Sequence, residues 1–144
     1  MMRILFLLLM PLLLTACAEL FSAPPLALVG TTWRVVELQG EPFTAPADEA
    51  FTLRLGPDGH IQAYAGCSRL TGLYQLEEER AAEGRLRVGP FDLLEALCAP
   101  EVSALERKVI HAMEGGSRYW RPDARELSLR NPIGITLIRF RAEP

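Results

Sequence analysis

The stretch Phe51-Thr52-Leu53-Arg54-Leu55-Gly56-Pro57-Asp58-Gly59-His60-Ile61-Gln62-Ala63-Tyr64 decides the fold class. Apolar and polar residues alternate strictly from Phe51 to Leu55, and successive side chains of a strand point to opposite faces. One face of this segment is therefore meant for a core and the other for solvent. Gly56-Pro57-Asp58-Gly59 is a turn, and His60 to Tyr64 resumes as a strand, so the two runs form an antiparallel hairpin.

Working outward, Thr32 to Leu38 is rich in β-branched and aromatic residues and is followed by Gly40. Leu73 to Leu76 reads as a further strand. Glu77 to Gly84 is charged and Ala-rich and reads as a solvated hairpin tip. Leu86 and Val88 alternate with Arg85 and Arg87, and Phe91 to Leu94 supplies another short strand. The period then changes. Val102, Leu105, Val109, Ala112 and Met113 recur at helical spacing over about Glu101 to Glu114. Pro100 suits the start of this helix, and Gly115-Gly116 stops it. Strands resume at Ser117 to Arg121, Glu126 to Arg130 and Ile133 to Arg141. The expectation is an α+β domain: a small antiparallel barrel-like sheet of about seven or eight strands, with one helix that plugs or covers it.

The chain has 144 residues and a formal net charge of −3. That is one domain's worth of sequence with a mildly acidic balance. It carries no basic stripe of the kind that binds nucleic acid.

At the N-terminus, Arg3 precedes the apolar run Ile4 to Leu14. The run is too short to span a bilayer, which needs about 20 residues, and fits a secretory h-region. Leu14-Thr15-Ala16-Cys17 resembles the lipobox of bacterial lipoproteins. The resemblance implies that residues 1–16 are removed as a signal peptide and that Cys17 is acylated. Residues 17–28 would then be a tether, with the folded domain at 29–144. The alternative is an ordinary secreted protein cut nearby. Ala18, where an Asp would favour the inner membrane, points to the outer membrane facing the periplasm.

Three cysteines would leave one odd thiol in an exported chain. Lipidation of Cys17 leaves Cys67 and Cys98 as a pair in an oxidising compartment. Their bridge would close a loop of about 32 residues, worth roughly 3–4 kcal/mol in the chain-entropy model. The other reading is two free buried thiols. Zinc is disfavoured, because neither cysteine has ligand spacing to His60 or His111.

Ala65-Gly66-Cys67-Ser68-Arg69-Leu70-Thr71-Gly72-Leu73-Tyr74 resembles the G-C-N-R-x-x-G-x-Y stretch of META/HslJ domains. Gly30-Thr31-Thr32-Trp33 resembles their first-strand G-x-x-W, and Leu97-Cys98-Ala99-Pro100 their second cysteine segment. The likeness extends from about Leu28 to Phe140. It departs at Ser68, where the family has Asn, and at Leu94 to Leu97, where it has T-x-M-A. The resemblance implies an HslJ-like barrel, often on a secreted or lipidated protein. It also implies a link to heat-shock or antibiotic stress and a cavity suggested for lipid.

No nucleophile-elbow pattern surrounds Ser68, Ser103, Ser117 or Ser128, and both histidines read as solvated, so no catalytic residues, metal or cofactor are assigned. Trp33, Tyr74 and Trp120 are candidates to line an apolar cavity, although aromatics in strands are more often core. Arg69 is the best single polar candidate. An ion pair with Glu106 is the plainer role for it. The functional expectation is a non-enzymatic envelope lipoprotein, accessory or stress-related. It would hold the membrane through its lipid and bind an apolar ligand or a protein partner. The alternative is an inhibitor of a periplasmic protease or lysozyme, with Glu41 to Glu49 or Glu77 to Gly84 as a protruding loop.

Overall fold

The computed structural model describes residues 27–46, 50–94 and 97–144. The expected signal peptide, Cys17 and most of the tether lie outside the described residues. The elements run β1 (Thr32–Leu38), β2 (Glu41–Pro42), β3 (Phe51–Leu55), β4 (His60–Ala65), β5 (Arg69–Arg80), β6 (Glu83–Val88), β7 (Asp92–Leu94), α1 (Pro100–Glu114), β8 (Arg118–Trp120), β9 (Glu126–Arg130) and β10 (Thr136–Ala142).

Eight of these strands close on themselves. Neighbours follow the order β10-β9-β8-β6-β5-β4-β3-β1, and β1 pairs back onto β10, all antiparallel. Closure removes the exposed edges that an open sheet would present. The two remaining strands are additions: β2 folds back on β1, and β7 pairs with the first residues of β5. The architecture is the expected α+β barrel with one helix.

The alternation read in β3 is what builds the interior. Phe51, Leu53 and Leu55 point inward and are buried. Trp33, Ile61, Leu70, Leu86, Leu127, Leu129, Ile138 and Phe140 join them, all at most 1% exposed. A barrel of about eight strands is just wide enough for its own side chains to fill, and here they do.

Helix α1 lies over one mouth of the barrel. It touches β4, β6 and β10, which lie on different sides of the ring. Val109, Ala112 and Met113 are its buried residues, together with Glu106. Val102 and Leu105, expected in the same stripe, are only half-buried. The opposite mouth is stoppered from the N-terminal side. Leu28 is 5% exposed, and its carbonyl accepts a hydrogen bond from Trp33 Nε1 at 3.0 Å. The folded domain therefore begins before Val29, because Leu28 is a core residue.

Two segments differ from the sequence reading. The expected hairpin tip at Glu77 to Gly84 is mostly strand. Glu77 faces Arg85 and Arg80 faces Glu83 across the β5–β6 pair. Cross-strand pairs of opposite charge favour such an extension. The final strand starts at Thr136 rather than Ile133. Asn131 Oδ1 accepts the backbone N–H groups of Ile133 and Ile135 at 3.2 and 2.9 Å, which holds Asn131 to Gly134 in a turn. Ile133 and Ile135 are left exposed there.

Candidate functional site

Cys67 and Cys98 form the expected disulfide, with Cα atoms 5.9 Å apart. The bond joins the start of β5 to the segment between β7 and the helix. Gly66, just before it, has φ +87°, and a Cβ there would lie 2.5 Å from the Phe51 ring. Only glycine fits that close left-handed turn. The next residue, Ser68, donates its backbone N–H and its hydroxyl to the two oxygens of Glu106, both at 2.9 Å. Ser68 and Glu106 are 2% and 5% exposed. A carboxylate that deep in the fold is expensive unless its oxygens are hydrogen-bonded, and Ser68 supplies both bonds. Glu114 Oε1, at the far end of the helix, accepts the Phe91 N–H at 3.0 Å. The approach to β7 and its exit are thus each tied down.

Glu106 is therefore the partner of Ser68 and not of Arg69. Arg69 points outward, is exposed, and makes no ion pair among the described residues. It stands on a face that the registers assemble across five strands. One row runs Thr32, Arg54, Gln62, Thr71 and Asp92 through β1, β3, β4, β5 and β7. The adjacent row runs Arg34, Thr52, Tyr64, Arg69 and Leu94. Most of these side chains line an open groove of about 710 Å³. Arg54 is partly fixed within it, since its Nε donates to the Gly30 carbonyl at 3.2 Å. Its side chain borders both this groove and a smaller hollow beside Gly56, Asp58 and His60. Arg34 is neutralised by Glu143 at 2.6 Å.

The other expected site residues lie elsewhere. Trp33 is a core residue. Tyr74 points inward and donates its hydroxyl to the Gly56 carbonyl. Burial, and then the Asp58 charge, raise its phenol above the usual tyrosine range. Trp120 lies on β8, away from the groove, with the Arg130 guanidinium 4.3 Å from its ring centre. The structure thus does not bring the three aromatics together around a cavity, and of the four candidates only Arg69 lines the groove. Sequence reasoning passed over Thr52, Arg54, Gln62 and Thr71. The signal available for them was the polar half of the same alternation that identified the core.

Among the described residues, no group of three or more His, Cys, Asp or Glu is placed to hold a metal ion. No described helix is long and apolar enough to cross a membrane.

Fold and site together define a closed eight-stranded antiparallel barrel with a helix across one mouth and an open groove on its outer wall, lined by polar and apolar side chains alike. The META domain family model matches residues 26–144, and the chain belongs to that family. Its fold is similar to a protein from Burkholderia xenovorans solved by NMR, with a TM-score of 0.60 and 21% identity over 81% of this chain and 83% of that one. It is also similar to a DUF4847 family protein from Bacteroides vulgatus, with a TM-score of 0.55 and 17% identity over 79% and 93% of the two chains. A comparison with curated proteins finds no match.

Proposed function

We propose that this META protein is a non-enzymatic envelope lipoprotein, accessory or stress-related, that binds a ligand or protein partner through the groove on β1, β3, β4, β5 and β7. The observation that carries this reading is the groove itself: outward arginines, hydroxyls and an amide beside the apolar surface of Tyr64 and Leu94, on a wall whose inner side is solid core. With the interior occupied by side chains, the binding surface belongs on the outside. A lipid on Cys17 would hold the barrel at the outer membrane facing the periplasm. The residues from Cys17 to Ala27 span at most roughly 35 Å when extended, so the groove would stay close to the membrane surface.

The test has two arms. Cys17→Ser should move the protein out of the membrane fraction; a variant still processed and still pelleting with membranes defeats the anchor. Thr71→Trp should fill the groove without touching the core. Envelope material that co-purifies with the wild-type protein should be lost in that variant. A wild-type protein that purifies alone, or a variant that keeps its companions, defeats the binding reading.

A further inference from the structure

Some of the barrel's arginines are held by partners and others, Arg87 on β6 among them, make no ion pair among the described residues. Around β8, β9 and β10 arginines are engaged: Arg118 with Glu79, Arg139 with Glu37, Arg141 with Glu126, and Arg130 over Trp120. On the groove wall Arg54 and Arg69 have no carboxylate partner among the described residues. The chain as a whole is acidic, at −3. Two guanidinium groups without a carboxylate partner among the described residues, with Asp92 only at the β7 end of the row, give the β3–β5 side of this wall a local preference for anions.

Their spacing narrows the ligand. Arg54 and Arg69 stand two strands apart and one outward position apart along the strands. By ordinary sheet spacings their Cα atoms lie about 12 Å from each other. Gln62 and Tyr64 of β4 lie between them, flanked by Thr52 and Thr71. A single small ion would use one guanidinium and leave this span empty. An extended ligand with separated acidic groups and neutral hydrogen-bonding groups between them would use all of it. The half-buried Tyr64 adds an aromatic surface with a polar tip, suited to a partner that is both apolar and wet. Along most of its length the groove offers side chains on a sheet face, and only β7, which pairs with β5 alone, leaves a backbone edge of the kind an added peptide strand uses. A polyhydroxylated chain is read by side-chain donors and acceptors such as these.

Building on the binding reading, we infer that the groove takes a carboxylated oligosaccharide, with Arg54 and Arg69 each holding an acidic sugar and Gln62, Tyr64 and the threonines contacting the units between. Arginine suits the task because its planar fork matches a carboxylate through two parallel hydrogen bonds.

The test titrates the full mature protein, in a zwitterionic detergent free of sugar, with trigalacturonate. Galactotriose, hexaglutamate and inorganic phosphate are the comparison probes. Trigalacturonate should bind saturably and more weakly as salt rises. Arg54→Ala and Arg69→Ala should each weaken it about tenfold or more, the scale of one charge-assisted hydrogen-bonded contact. Arg107→Ala, on an exposed part of the helix, should not. Circular dichroism should show every variant folded. Equal binding of galactotriose, hexaglutamate or phosphate overturns the inference, as does indifference to Arg54 and Arg69 or no binding of trigalacturonate. If those failures coincide with envelope material that is still lost in Thr71→Trp, the groove remains a binding site and only the ligand class falls.

Discussion

The two outer walls of the barrel treat the same residue type in opposite ways. On the β8–β10 wall, Trp120 and Arg130 stack. Ser128, on β9 beside Trp120 and Arg139, is fully buried. Arg139 and Arg141 there are tied to glutamates on neighbouring strands, and Arg118 reaches Glu79 two strands away. On the β3–β5 wall the outward residues are as polar, yet Arg69 and Gln62 are exposed and, among the described residues, unpaired with charge. One wall buries polar groups, among them Ser128 Oγ, Arg130 Nε and Arg139 Nε, which have no hydrogen-bond partner among the described residues, and the other wall presents them to solvent. Under the proposed binding role, stability and recognition would fall on different sides of one sheet, and substitutions on the two sides should behave differently.

The largest expected effect comes from the bond that fastens β7 to the presenting wall. Reducing the disulfide, or replacing Cys67 and Cys98 together with Ser, should cost about 3–4 kcal/mol in denaturant unfolding. Amide exchange should accelerate first in Asp92 to Leu94. Uniform exchange across all strands would show that the wall does not depend on this tie.

Glu106→Ala ranks next. It leaves the buried N–H and hydroxyl of Ser68 without an acceptor, at a cost of about 2–3 kcal/mol. Glu106→Gln keeps one acceptor and should lose less. Equal losses would mean that packing, not hydrogen bonding, is what Glu106 provides.

Trp120→Ala opens the β8–β10 wall, and about 1–2 kcal/mol should go with the ring and its guanidinium contact. Arg69→Ala and Gln62→Ala on the presenting wall should each stay within about 0.5 kcal/mol of wild type, as exposed substitutions usually do. A loss from Arg69→Ala as large as that from Trp120→Ala would erase the distinction between the walls.

The smallest effect is confined to alkaline pH. The phenols of Tyr74 and Tyr119 are both raised, chiefly by burial. A raised folded-state value means that the folded chain holds these protons more tightly than the unfolded chain does. Their contribution is intact below the unfolded tyrosine range and is lost as pH rises through the folded values. Stability should therefore fall in strongly alkaline buffer, and Tyr74→Phe should soften the fall in a pH series of melts. An identical slope in that variant would remove Tyr74 from the account.

Much of the barrel was legible because period-two alternation is written residue by residue. β1, β3 and β9 fall on their expected residues, and the helix starts one residue early. The length of β5 was hidden because Glu77 to Arg80 looks like a solvated tip until Arg85 and Arg118 are placed opposite. Glu106 was readable in part. It stands four residues after Val102 and three before Val109, and so falls within the helix's own apolar stripe. Its partner was not readable, because the Ser68–Glu106 contact spans 38 residues. The groove was hidden for the same reason: Arg54, Tyr64 and Arg69 become neighbours only through the registers of three strand pairs.

The interleaving of Phe51, Leu53 and Leu55 with Thr52 and Arg54 has an evolutionary consequence. Inward and outward positions share a strand but not an environment, so mutation can rewrite one without disturbing the other. A lineage can exchange the lettering of its outer wall while its packing is inherited unchanged. Two chains that share only 21% of their residues accordingly keep a similar fold.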